Sequence, residues 1–294
     1  MIRADVRPEL LRWARERAGL SVSALERRFP ALEDWEQGNF HPTLKQLERF
    51  AKATYTPVGY LFLPEPPVET VPIPDFRTVG AKATGRPSPN LLDTIYVCQQ
   101  RQEWYRDYAR TAGEDARTFV GSVQMTSDIV QTAARMRQWL EFDVDQRARM
   151  PTWTEALRLF IGRADAQGVL VMCSGVVLNN NHRALDPEEF RGFAIADDYA
   201  PLVFINGADT KAAQMFTLAH ELAHIWLGSS ALSDAHASEV PEPAEAVESP
   251  ERDVEQWCNK VARSCSCRST SCETSTRSAT NCPPKSPAWH DTSR

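Results

Sequence analysis

The feature that most constrains this chain of 294 residues is an apolar segment, residues 211–227, that carries two histidines and a glutamate. Apolar side chains recur along it at helical spacing and Gly228 follows it, which predicts a helix buried in a protein core. The polar residues fall in His220-Glu221-Leu222-Ala223-His224. Two imidazoles and a carboxylate buried without partners would be costly, so the fold must supply a partner for them.

The spacing of this motif predicts a metal site. His220 and His224 lie one helical turn apart, so their imidazoles share a face and can hold one Zn²⁺. Glu221 can reach a water molecule at the metal without binding the metal itself. Zinc lowers the pKa of such a water to about 7, and Glu221 would take its proton and return it to a leaving amine. The alternative is a core helix that carries two histidines by chance.

A catalytic zinc normally has a third protein ligand and an open position. Eight downstream side chains could serve: His236, Glu239, Glu242, Glu245, Glu248, Glu251, Asp253 and Glu255. Most of them fall in a proline-rich acidic stretch that is typical of a solvated loop. Glu255 is followed by Trp257, Val261 and Ala262, which predict a packed helix. The chemistry therefore favours Glu255 but leaves the other acids open.

The rest of the chain predicts an α+β fold. Helical periodicity covers residues 8–63, which we expect to form five helices, and residues 91–166. Seven prolines stiffen a connector at 64–90. Apolar runs bounded by turn residues then predict strands of one small sheet packed on the HExxH helix, at Gly168–Val177, Phe190–Ile195 and Pro201–Ile205. We accordingly divide the chain into 1–63, 64–90, 91–262 and a tail, 263–294.

The motif region resembles a known family. Phe216–His224 (FTLAHELAH) and the later Glu255–Ala262 (EQWCNKVA) closely resemble the ImmA/IrrE family of zinc metallopeptidases, which are zincin-like. The N-terminal helices, the connector and Asp75-Phe76-Arg77-Thr78 resemble the subgroup fused to a Cro/Xre-type helix-turn-helix domain. The resemblance implies His220, His224 and Glu255 as zinc ligands and Glu221 as the general base. It also implies a repressor-like protein as substrate, in stress responses or mobile elements.

Zincin-like sites usually hold the substrate backbone against an edge strand. Phe190–Ile195 is our candidate, with Phe193 and Ala194 as substrate-binding residues. An ordinary core strand is the equal alternative.

The sequence does not identify the binding partner of the N-terminal module, residues 1–63. If it binds operator DNA, the helix near residues 30–37 would enter the major groove, and Arg27, Arg28 and Lys45 are the predicted phosphate contacts. That helix carries Glu33, Asp34 and Glu36, which would repel phosphates, and residues 1–63 hold ten basic and eight acidic residues. The alternative is a module that binds a protein partner or the peptidase half.

The tail differs in composition from the rest of the chain. Serine and threonine supply 13 of its 32 residues, and it has no Ile, Leu, Val, Met, Phe or Tyr, so it cannot build a core alone. The spacing of Cys265, Cys267, Cys272 and Cys282 lacks the paired pattern of common zinc modules. We prefer the hypothesis of a frameshift after Ala262, which would remove a helix that braces Glu255.

Composition narrows the function classes. The chain has a net charge of −6, and no apolar run reaches the roughly 18 residues of a membrane helix. The first residues lack the apolar core of a signal peptide, and few cysteines lie outside the tail, so we expect a cytoplasmic protein with no membrane partner. The leading hypothesis is a zinc endopeptidase. The alternatives are a DNA-binding regulator whose peptidase half is a sensor or inactive, and an antitoxin-like protein.

Overall fold

The computed structural model describes residues 3–75, 86–142, 150–233 and 250–266. This part of the chain is a mixed α+β structure, as the sequence predicts, with helices at both ends and a small sheet between them. None of its helices is both long enough and apolar enough to span a bilayer.

The N-terminal unit consists of four short α-helices and a 3₁₀ helix. They are α1 (Pro8–Arg17), α2 (Val22–Glu26), α3 (Leu32–Glu36), α4 (Leu44–Ala53) and the 3₁₀ helix (Val58–Phe62). Gly19 takes a left-handed conformation (φ 66°) after α1, and the Ser21 hydroxyl caps α2. Apolar side chains from all five segments form one core, which includes Leu10, Leu25, Trp35, Phe50 and Leu61.

One acid of the expected groove-facing helix faces inward instead. The Glu36 carboxylate accepts two hydrogen bonds from the Arg15 guanidinium, at 2.6 and 2.9 Å, and both side chains are largely buried. The expectation of three acids on the exposed face of this helix is therefore wrong, because Glu36 neutralises Arg15 inside the domain. Glu33 and Asp34 are exposed, as are Arg27, Arg28 and Lys45.

Three longer helices follow the connector: α5 (Pro89–Ala112), α6 (Ile129–Trp139) and α7 (Trp153–Ala166). Each begins with a hydroxyl or carboxylate cap, from Ser88, Asp128 and Thr152 respectively. The helix α5 packs on one face of the sheet through residues such as Leu91 and Ile95, and α6 and α7 pack in the core on the other face through Met136 and Phe160. Three aromatic residues of α5 and one of α7 are exposed instead of packed: Tyr96, Trp104, Tyr108 and Trp153.

The sheet has the strand order β1–β5–β4–β6. Its strands are β1 (Leu170–Ser174), β4 (Gly192–Ile195), β5 (Leu202–Asn206) and β6 (Ala231–Leu232), while β2 (Val176–Val177) and β3 (Asn180–Ala184) form a separate hairpin. β1 runs parallel to β5, and β4 is antiparallel to both β5 and β6. The prediction of one sheet is thus wrong for Val176–Val177.

The two faces of the sheet belong to different cores. Phe193, Leu202 and Phe204 pack against α5 on one face. Ala194, Val203 and Ile205 face the other way, into the core that contains the apolar side of the HExxH helix. The strict alternation of side chains along a strand produces this division.

The HExxH helix, α8 (Lys211–Leu227), starts at the Thr210 cap and ends at Gly228 (φ 71°), as the sequence predicts. The last helix, α9 (Pro250–Ser266), packs against α8 and α6. It continues past the predicted boundary at Ala262, since Cys265 is buried in the same core as α8. Residues 267–294 lie outside the described part, so the frameshift stays a prediction.

Candidate metal centre

The helix α8 carries the polar residues of the motif deep in the protein. His220, Glu221 and His224 are all at most 3% exposed, among apolar neighbours such as Leu218 and Leu222. His220 and His224 lie one turn apart, and their Nε2 atoms are 3.0 Å from each other. The helical spacing therefore brings two ring nitrogens to one point, as the sequence predicts.

The helix α9 brings a carboxylate to the same point. Glu255 is 4% exposed, and one of its oxygens (Oε2) lies 3.2 Å from His220 Nε2 while the other (Oε1) lies 3.1 Å from His224 Nε2. The packing of Trp257, Cys258 and Val261 in the α8 core fixes the rotation of α9 that aims this side chain inward. The three residues form a group of possible ligands whose donor atoms all lie within 4.8 Å of one another.

The donor set fits a zinc ion. Tetrahedral zinc with bonds of about 2.0–2.1 Å places its ligand atoms roughly 3.3 Å apart. The two Nε2 atoms are 3.0 Å apart, and each lies 3.1–3.2 Å from a different oxygen of Glu255, so all three side chains reach one point where a single ion could be bound. Two imidazoles and one carboxylate are also the ligand chemistry of catalytic zinc, and the remaining tetrahedral position has no protein donor from this group.

The electrostatics of the three ligands depend on one another. Burial would lower the pKa of His220, but the charge of Glu255 and hydrogen bonds to Glu255 and Asn259 outweigh it, so the pKa is raised. Burial lowers the pKa of His224. The pKa of Glu255 falls to about 2, because the two histidines overcome the effect of its burial. Glu255 is therefore a carboxylate, which is the form that binds a cation.

Glu221 lies beside the ligand group and is not part of it. It is completely buried, which raises its pKa to about 8 against the opposing charge of His220. Neither of its oxygens has a hydrogen-bond partner of normal geometry among the described residues, although the Ser233 hydroxyl is close enough to lower its pKa somewhat. A buried carboxyl group with free acceptor capacity is suited to exchange a proton.

Two residues that sequence reasoning missed border Glu221. An ideal Cβ added at Gly192 would lie 3.2 Å from Glu221 Oε1, so the bare backbone of β4 makes room for this side chain. Ser233 directly follows β6, is buried, and lies close enough to Glu221 to affect its pKa. A glycine inside the predicted strand is a signal of close backbone approach and could have identified Gly192. Nothing in the sequence around Ser233 points to the site.

The predicted substrate strand occupies a different position from the one expected. β4 is not an edge strand, because Phe193 pairs with both Phe204 and Leu232, and Ala194 pairs with both Val203 and Ala231. Phe193 and Ala194 are also fully buried. Their assignment as substrate-binding residues on an edge is therefore wrong, and the alternative of an interior strand holds. The edge of the sheet on this side is β6, which is too short to predict from its sequence.

Of the other candidate ligands, the two that the structure describes do not reach the site. Glu251 and Asp253 are exposed in the first turn of α9. His236 and the acids Glu239, Glu242, Glu245 and Glu248 lie outside the described residues, as do Cys267, Cys272, Cys282 and the Phe76–Thr78 part of the connector motif.

Comparison with known families gives one match. A family model described as the IrrE N-terminal-like domain (Peptidase_M78) matches residues 164–250. The matched range contains the sheet and α8, and it stops before Glu255 and does not include the N-terminal helices. The match supports similarity to the ImmA/IrrE family and indicates a metallopeptidase-type function. Comparisons with curated proteins and with solved structures found no match.

Proposed function

We propose that this chain is a zinc-dependent endopeptidase with His220, His224 and Glu255 as metal ligands and Glu221 as general base. The observation that carries the proposal is the buried group of two imidazoles 3.0 Å apart at Nε2, each within 3.2 Å of one oxygen of Glu255, which two separate helices assemble. The family match at 164–250 supports the metallopeptidase class. A repressor-like protein as substrate rests on the resemblance of the sequence to ImmA/IrrE proteins.

The residues divide the chemistry between them. When bound, zinc supplies Lewis-acid polarisation of the peptide carbonyl and acidifies a water molecule. Glu221 accepts a proton at a carboxylate oxygen and then donates it to the amine nitrogen of the leaving peptide. Burial raises the pKa of Glu221 above the usual range of a carboxyl group, which favours the protonated form that donates to the leaving amine. The apolar neighbours of α8 exclude bulk water from this exchange and strengthen its electrostatics.

We expect the purified wild-type chain to contain about one zinc ion per molecule by elemental analysis. Glu255→Gln replaces a charged ligand by a neutral amide of the same shape, and we expect its zinc content after dialysis to fall below about a tenth of the wild-type value. Removal of zinc by a chelator should also lower the melting temperature, because an ion that binds only the folded state stabilises that state. At a free zinc concentration of 1,000 times Kd the stabilisation is about 4 kcal/mol.

Glu251→Gln is the matched control, since Glu251 is an exposed acid one turn earlier on the same helix. It should keep the wild-type zinc content. If the wild-type chain takes up no zinc, or if both variants lose zinc equally, the ligand set is wrong.

DNA binding by the N-terminal unit is a second proposed function. The observation in its favour is that Arg27, Arg28 and Lys45 are all exposed while Glu36 is neutralised by Arg15. We expect the affinity for duplex DNA to fall as salt rises, and Lys45→Ala to reduce the slope of log K against log salt by about 0.9. A fluorescence titration at several salt concentrations measures both. An affinity that does not depend on salt would exclude phosphate contacts.

A further inference from the structure

The chain's own connector covers the outer edge of β6. The Leu232 N–H donates a 2.9 Å hydrogen bond to the Pro74 carbonyl oxygen, and Asp75 forms a parallel bridge with Leu232. Leu232 pairs on its other side with Phe193 of β4. The connector therefore lies where a further strand would add to the sheet.

This edge borders the candidate active site. Ser233 directly follows β6, its N–H is 3.4 Å from the Gly192 carbonyl oxygen, and its side chain faces Glu221. An extended peptide that paired with the edge would therefore run beside the segment whose Ser233 faces the general base. β-strand addition to an open edge is a common way to bind an extended peptide.

The covering segment is anchored at two further points. Glu69 forms a two-pronged ion pair with Arg17 of α1, with N–O distances of 2.5 and 2.8 Å, and the Arg17 side chain is 3% exposed. Ile73 is buried in the core formed by α5 and one face of the sheet. A span of seven residues, Glu69–Asp75, thus links the N-terminal unit to the sheet edge.

The segment is nevertheless a poor strand. Pro72 and Pro74 have no N–H, so the segment offers the edge fewer donors than an ordinary peptide would. A substrate segment without prolines could form a fuller ladder with the same backbone groups. The connector covers the edge through the Leu232–Pro74 hydrogen bond and the Asp75–Leu232 bridge, and a segment with more N–H donors could replace it.

We propose that Glu69–Asp75 covers the edge of β6 on which the substrate backbone would otherwise pair. Because this segment is anchored on α1, its position on the edge depends on the N-terminal unit. The inference rests on the proposed peptidase function. It specifies the kind of partner that the edge accepts, an extended peptide segment, and the event that must precede binding, which is release of the connector.

Hydrogen exchange of the zinc-loaded full chain tests the proposal. In Ile73→Ser, which removes the apolar anchor, we expect the Leu232 amide to exchange at least about tenfold faster than in the wild type, with Val203 of β5 unchanged. A labelled peptide with the sequence of residues 65–75 should bind this variant and not the wild type, by fluorescence anisotropy. Val68→Ser is the matched control, because Val68 is in the same connector and is 91% exposed.

Equal Leu232 exchange in wild type and Ile73→Ser, or equal peptide binding to both, would overturn the proposal. If Ile73→Ser also accelerates amide exchange at Val203, the substitution has loosened the whole sheet. The Glu69→Gln variant then distinguishes release of the connector from loosening of the sheet. Glu69→Gln breaks the anchor on α1, which is remote from the sheet, and should still accelerate amide exchange at Leu232. Glu65→Gln replaces an exposed acid of the same connector and should leave that exchange unchanged. Zinc content is measured in every sample, so loss of the metal site is distinguished from a wrong assignment of the edge.

Discussion

Replacing Glu221 with glutamine is expected to lower the rate of peptide cleavage by about 10²–10⁴-fold, the usual contribution of a general base. The amide has the same shape as the carboxyl group and cannot take up a proton. Because Glu221 is not among the three clustered donors, the zinc content should stay at the wild-type level. Cleavage of a co-expressed repressor-like protein and elemental analysis measure the two effects separately.

The same variant should not lose stability. Glu221 is fully buried and burial raises its pKa to about 8, so its carboxyl group is mostly neutral near pH 7 and a neutral amide of the same shape adds no charge to desolvate. We expect the melting temperature of the metal-free Glu221→Gln chain to equal or exceed that of the metal-free wild type. A variant that keeps full activity would show that Glu221 is not the base. A variant that loses zinc would show that it belongs to the ligand set.

Gly192→Ala is expected to lower the free energy of unfolding by about 1–3 kcal/mol and to abolish most of the activity. The new methyl group would lie 2.5 Å from the Thr217 methyl group, 2.7 Å from the Phe204 carbonyl oxygen and 3.2 Å from Glu221 Oε1. The Phe204 backbone is fixed in the ladder between β4 and β5, so α8 must move instead. Chemical denaturation measures the stability, and the cleavage assay measures the displacement of Glu221.

Gly162→Ala is the control for this substitution. Gly162 lies within α7, and a Cβ there would meet no atom within 4 Å. Its replacement should stabilise the protein by about 0.5–1 kcal/mol, through helix propensity alone. Thr217→Ser in the Gly192→Ala background removes the closest contact and should restore part of the stability. Equal stability of wild type and Gly192→Ala would show that the close approach of β4 to α8 is not required.

The motif residues show which features of the site the local sequence determines. The spacing of His220 and His224 fixes their common face, because helix geometry depends only on the position along the chain. Thr210 and Gly228 mark the ends of α8 by local hydrogen bonding and by a left-handed conformation. For the same reason the apolar stripes predict the helices on either side of the sheet.

Glu255 could be predicted from the sequence only in part. Its neighbours Trp257 and Val261 predict a packed helix, so chemistry favoured it without excluding seven other candidates, and the resemblance to a family strengthened the choice. The structure places it 3.1–3.2 Å from both histidines because α9 packs on α8 through its apolar side. The rotation of one helix against another depends on the shapes of both, and a single segment does not contain that information.

The sequence by itself determined the α+β class, the limits of α8 and the pairing of two imidazoles on one face, since all of these follow from contacts within a few residues. Only the tertiary structure decided that β4 is an interior strand, that the connector covers β6, and that Glu36 faces Arg15. Those facts depend on which distant segments compete for the same backbone groups or charges. A two-residue strand such as Ala231–Leu232 has no periodicity of its own, and it forms because β4 presents an unpaired edge beside it.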